Sequence, residues 1–162
     1  MADFLDEHLD PRAIKFYEDL PDEVVEVCLA QTPFEGQVWQ LFFDGASRTG
    51  LQGNIIVGVG VVLVCPQNYI IPRAFLLIMP CSNNVAEYNA LLIGMQIADE
   101  IGVKNLEAYG DSKLIVNQVC GKYEVRHEDL VLYHNATIYM AERFRNFYMT
   151  MYLTSKMRMQ IH

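Results

Sequence analysis

Apolar residues recur along this chain in two rhythms. Val38-Trp39-Gln40-Leu41-Phe42-Phe43 is a strand-like run that ends at Asp44-Gly45. A turn carrying Gly50 and Gly53 leads into a β-rich run from Ile55 to Val64. Pro66-Gln67-Asn68 marks the next turn, and Tyr69 to Ile78 reads as a third strand in which Pro72 suggests an edge or a bulge. The rhythm then changes. Ser82-Asn83-Asn84 offers helix N-cap chemistry, and Leu91, Leu92, Met95, Ala98 and Ile101 follow at helical spacing until Gly102. Asn105 to Tyr109 is a short strand ending at Gly110-Asp111, and Ser112 to Val119 a second helix stopped near Gly121. Leu132, Ala136, Tyr139, Met140 and Phe144 make Glu128 to Phe147 an amphipathic third helix, with a fifth strand near Phe147 to Leu153.

Three consecutive strands form an antiparallel meander, whereas strand-helix alternation demands parallel crossovers. Residues 37–162 are therefore expected to form an α/β domain, a five-stranded mixed sheet flanked by helices. Residues 1–36 read as a connecting arm, broken by Pro11, Pro21 and Pro33, with one short helix opened by Pro21-Asp22-Glu23 and running through Leu29.

Charge sharpens this division. The net −8 argues at first against a nucleic-acid partner. Yet residues 1–36 hold ten acids against Arg12 and Lys15 alone, so the arm carries the whole excess and the body is neutral. Cys28, Cys65, Cys81 and Cys120 show no paired metal-ligand spacing, which excludes a zinc motif and leaves reduced thiols. No apolar stretch approaches the roughly 20 residues that span a bilayer, and the acidic start is no secretory signal, so an intracellular protein without a membrane partner is expected.

Within the neutral body, Asp44 ends the first body strand, Asp111 ends the fourth, and Glu87 lies one turn into the first helix. Ligands of open α/β sheets collect beyond the carboxyl ends of parallel strands. Three converging carboxylates repel one another unless a cation sits among them, and hard oxygen ligands suit Mg²⁺ or Mn²⁺. Each residue also has an ordinary structural reading: Asp44-Gly45 as a turn pair, Glu87 as the partner of Asn84 in a capping box, Asp111 as an N-cap.

The runs Leu41-Phe42-Phe43-Asp44-Gly45-Ala46-Ser47, Ser82-Asn83-Asn84-Val85-Ala86-Glu87-Tyr88-Asn89-Ala90-Leu91 and Tyr109-Gly110-Asp111-Ser112 closely resemble the ribonuclease H domains of plant gypsy-type retroelement polyproteins. Ile115-Val116-Asn117-Gln118-Val119 and Glu124-Val125-Arg126-His127-Glu128-Asp129-Leu130 extend the resemblance over about residues 37–148. It implies an RNase H-like fold and an enzyme that hydrolyses the RNA strand of an RNA–DNA hybrid with two divalent ions. Asp44, Glu87 and Asp111 match the family's metal-binding and catalytic positions. Gly45, Ala46, Ser47, Asn83, Asn84 and Ser112 match positions beside the hybrid. The arm resembles the linker from reverse transcriptase, so reverse transcriptase and integrase are expected as neighbours in a polyprotein.

The resemblance breaks in the tail. The family continues after the fifth strand with a His-x-Pro-Arg run and an Ala-Asp pair whose Asp is the fourth metal ligand. This chain instead reads Met149 to His162 with four methionines and no acidic residue. Out-of-frame translation is one account of it, because permitted codons for Thr150 to Ile161 regroup into the family pattern. Loss of the fourth carboxylate implies impaired cleavage, and leaves a catalytically inactive, nucleic-acid-binding fragment as the alternative. A serine-hydrolase reading of Gly110-Asp111-Ser112 needs a positioned Asp/His pair, and His127 and His134 fit a solvated or packed helix better. Gly58-x-Gly60 lies inside a strand and opens no helix, so it is no dinucleotide fingerprint.

Overall fold

β-branched and aromatic residues cluster in positions 38–77, and they form strands because they pack well on a pleated surface. The computed structural model describes residues 14–16, 37–77, 81–152 and 158–160. In chain order these form β1 (Ile14–Phe16), β2 (Val38–Thr49), β3 (Ile55–Val64), β4 (Ile70–Leu77), α1 (Asn83–Glu100), β5 (Asn105–Gly110), α2 (Lys113–Val119), α3 (Glu128–Ala141), β6 (Asn146–Tyr152) and β7 (Arg158–Gln160). The helix expected from Pro21, His8, Cys28 and most of the tail lie outside the described residues.

The strands form one sheet in the order β1-β4-β3-β2-β5-β6-β7. β2, β3 and β4 make the expected antiparallel meander, and β5 pairs in parallel with both β2 and β6. These five are the mixed sheet expected from the sequence. Two three-residue strands extend its edges: β1 pairs with Phe75–Leu77 of β4, and β7 pairs with Thr150–Tyr152 of β6. Pro72 sits on β4 beyond the stretch that β1 covers, so its missing N–H breaks no ladder bond with β1.

Two boundaries differ from the sequence expectation by more than a residue. β2 does not end at Asp44 but runs to Thr49, because Gly45 to Thr49 keep pairing with Val59 to Ile55 of β3. Only its parallel pairing stops early, at Phe42 opposite Tyr109. α3 ends at Ala141 rather than Phe147. The backbone N–H groups of Arg145 and Asn146 donate to the carbonyl of Lys104, which starts β6 beside β5. Phe144 and Phe147 recur at helical spacing, but they pack on the core from a turn and a strand.

α1 lies between the sheet and α3, so it is buried on nearly all sides, with Tyr88, Leu91, Leu92 and Met95 fully enclosed. It crosses β2 closely. A Cβ on Gly94 would lie 2.5 Å from Leu41 Cδ1, and a Cβ on Gly45 would collide with the Ala86 carbonyl. Burial of side chains of this size contributes about 1.5–3 kcal/mol each, enough to fix the depth at which α1 sits. No described helix is long and apolar enough to cross a membrane.

Candidate metal centre

Register brings the first two carboxylates together. The last parallel pair of β2 and β5 is Phe42 opposite Tyr109. Asp44 and Asp111 each lie two residues further on, and strand side chains repeat every second residue. Both therefore leave the sheet at the same level. The Phe42 and Tyr109 rings stack beneath them at 4.8 Å between centroids.

Glu87 arrives from α1. Because Gly45 has no side chain, the α1 backbone at Ala86 and Glu87 rests directly on β2, one residue past Asp44. The structure also settles the capping question. Ser82, not Asn84, caps α1 by accepting from the Val85 N–H, and Ser112, not Asp111, caps α2 by accepting from the Ile115 N–H. Glu87 and Asp111 are thus released from both ordinary structural readings.

The outcome is a cluster in which one carboxylate oxygen from each of Asp44, Glu87 and Asp111 lies within 4.8 Å of the others. Burial, opposed by a hydrogen bond from Ser112 and reinforced by the charges of Asp111 and Asp44, pushes the Glu87 pKa up to about 7. Asp44 is raised too, by burial and by Asp111, against the pull of the Gly45 N–H. The charges acting on Glu87 are both negative, so the donor set lacks a countercharge. Oxygens around an ion with bonds of about 2.1 Å lie about 3–4.2 Å apart. Small side-chain rotations bring this cluster within that range, so the three residues fit a hard divalent cation.

The neighbouring candidates divide. Gly45 is buried beneath α1, with its N–H turned to Asp44. Ala46, Ser47, Asn83, Asn84 and Ser112 are exposed or half-exposed. Asn83 Oδ1 accepts from the Ser47 backbone N–H at 2.7 Å and from its hydroxyl at 3.2 Å, joining β2 to the start of α1. Short polar groups thus flank the carboxylates on both elements.

Sequence reasoning missed a cavity of about 530 Å³ that Asp44 and Asp111 share with Phe42, Gly60, Val62 and Tyr109. Its signal was Gly60, whose missing side chain opens space beside Asp44 on the neighbouring strand. Also unforeseen was the second use of Ser112, which caps α2 while holding Glu87.

Residues 44–159 match the family described as Reverse transcriptase-like. The chain is 36% identical over 98 residues to Ribonuclease HI of Halobacterium salinarum, an alignment covering 60% of this chain and 48% of that protein. It thus spans about half the length of that relative. Among solved structures it is similar to RNase H1 of the same archaeon, with a TM-score of 0.66 and 28% identity over 73% of this chain and 87% of the other. The fold also matches LC11-RNase H1 solved in complex with an RNA/DNA hybrid, with a TM-score of 0.63 and 24% identity over 73% of this chain and 87% of the other.

Proposed function

From the premise that this chain belongs to the reverse transcriptase-like family, we propose that it is a ribonuclease H-type hydrolase acting on the RNA strand of RNA–DNA hybrids. The observation that carries this reading is the convergence of Asp44, Glu87 and Asp111 within 4.8 Å. These three residues would hold Mg²⁺ or Mn²⁺. Two such ions, when bound, supply activation of a water and stabilisation of the leaving oxygen.

The chain's own groups do the positioning. The Ser112 hydroxyl orients Glu87, and the Gly45 N–H orients Asp44. Ser47, Asn83 and Asn84 present short polar groups suited to 2′-hydroxyls and phosphates, and the 2′-hydroxyl separates RNA from DNA. Relatives solved with a hybrid support this substrate. The motif runs support an origin in a plant gypsy-type polyprotein. Residues 1–36 serve there as the linker from reverse transcriptase, integrase is a further neighbour, and the setting is intracellular.

Residues 143–162 contain no Asp or Glu, so none of them supplies a fourth carboxylate. That favours impaired cleavage, with hybrid binding that outlasts it as the second reading. The frameshift account of the tail stands or falls with the coding DNA, since codons that cannot regroup would end it.

Purified chain is mixed with a labelled hybrid, with and without Mg²⁺, beside Asp44→Asn. Slow, Mg²⁺-dependent cleavage abolished by Asp44→Asn supports the enzyme reading. Hybrid binding without any cleavage supports the inactive reading, and neither binding nor cleavage refutes both. Fast cleavage abolished by Asp44→Asn would show that three carboxylates suffice and overturn the impairment.

A further inference from the structure

α2 carries Asp111 and Ser112 at its leading end, so its angle sets how closely they meet Glu87. It is only seven residues long, or about 10 Å, and a pivot of about 6° at one end moves the other by about 1 Å. The leading end is held by the Ser112–Glu87 hydrogen bond. At the trailing end, Tyr88 Oη donates to Gln118 Oε1 at 2.7 Å. Tyr88 is the neighbour of Glu87 in α1, and it is fully buried, while Gln118 is 4% exposed. His134 of α3 meets the Gln118 carbonyl through Nε2 at 3.0 Å, so three helices join at this point. The Lys122 and Tyr123 N–H groups donate to the Asn117 carbonyl and close the helix end around it.

We propose that Tyr88 and Gln118 are positioning residues for the metal centre: their buried hydrogen bond fixes the angle of α2 and so the separation of Asp111 from Glu87. Their hydrogen bond joins the two side chains to each other rather than to a carboxylate of the cluster. The inference rests on the metal-binding reading above and adds to it a distant determinant of ion affinity. Buried polar pairs are suited to this task, because a directional bond selects one packing where apolar contact permits several.

Tyr88→Phe removes one oxygen and keeps the ring. Leaving the Gln118 amide oxygen buried without its donor lowers stability, so melting temperature alone does not distinguish positioning from structure. The double variant Tyr88→Phe/Gln118→Leu removes both polar groups and restores thermal stability towards wild type, since replacing both partners of a buried hydrogen bond is close to neutral. Mn²⁺ binding to each chain is measured by calorimetry. Outer-shell changes weaken metal sites about 10–100-fold, and one further step away the expected loss is about 5–10-fold. Both variants should show it, the double variant despite its recovered melting temperature. Mn²⁺ affinity within twofold of wild type in Tyr88→Phe, or affinity that recovers together with stability in the double variant, overturns the proposal. Wild-type chain that takes up no Mn²⁺ overturns the metal-binding reading itself, a failure visible before any variant is made.

Discussion

Replacing Glu87 with Gln should stabilise the metal-free protein at alkaline pH. The Glu87 carboxyl is lifted from 4.5 to about 7, first by burial and then by Asp111 and Asp44. Below about pH 4.5 the folded and unfolded chains both hold the proton, and Glu87 brings no electrostatic cost. Between 4.5 and about 7 the unfolded chain releases it first, so stability falls as pH rises. Above about 7 both states are ionised, and the fold bears the full cost. At about 1.4 kcal/mol per pH unit the ceiling is roughly 3 kcal/mol. Glu87 is only half buried, and solvent screening reduces this to about 1–2 kcal/mol. Gln keeps the shape and an acceptor for Ser112 but carries no charge. At pH 8 in EDTA, Glu87→Gln should therefore melt about 2–8 °C higher than wild type, given about 2–4 °C per kcal/mol for a chain of this size. At pH 4 the gain should vanish. Mg²⁺ should raise the melting temperature of wild type and not of the variant. Thermal unfolding followed by circular dichroism at the two pH values decides the matter. A variant that melts below wild type at pH 8, or gains equally at pH 4, would refute the reasoning.

Three further outcomes follow from the same geometry. Gly45→Ala places a methyl against the Ala86 carbonyl. It should cost about 1–3 kcal/mol in chemical denaturation by overpacking, and it should weaken Mn²⁺ binding by lifting α1 away from Asp44. Ser112→Ala removes both the cap of α2 and the bond that opposes the rise in Glu87. Stability should fall by about 1 kcal/mol, and an NMR titration should place the Glu87 pKa above its wild-type value. Because Glu87 must lose its proton to bind a cation, Mg²⁺ affinity should climb as pH rises through about 7 and level off above it. A flat profile between pH 5.5 and 8 would contradict that.

Much of this arrangement was legible in the sequence, for reasons that differ by element. β3 was read to the residue because a run rich in Ile and Val sits between two turns, at Gly53 and at Pro66 to Asn68. The end of β2 was not. Gly45, Ala46 and Ser47 look like a turn locally, and only the long partner β3 keeps them extended. The end of α3 was lost for a related reason: Phe144 and Phe147 keep helical spacing, but the Lys104 carbonyl draws the chain into β6. Asp44 and Asp111 stood out because each closes an apolar strand-like run, and the motif runs around them and around Glu87 joined the three. What no local pattern could supply is how α1 approaches them. That depends on Gly45 and Gly94 meeting β2, and on Ser82 and Ser112, rather than Asn84 and Asp111, taking the caps. The tie between Tyr88 and Gln118 spans 30 residues and carries no spacing signal at all.

The most direct test of the shared site is a crystal of the chain soaked in Mn²⁺ and measured at the manganese absorption edge. An anomalous peak within coordination distance of oxygens from Asp44, Glu87 and Asp111, lost in Asp44→Asn crystals, is the result expected. Manganese found only elsewhere on the molecule, or absent at concentrations that saturate the protein in solution, would contradict the account.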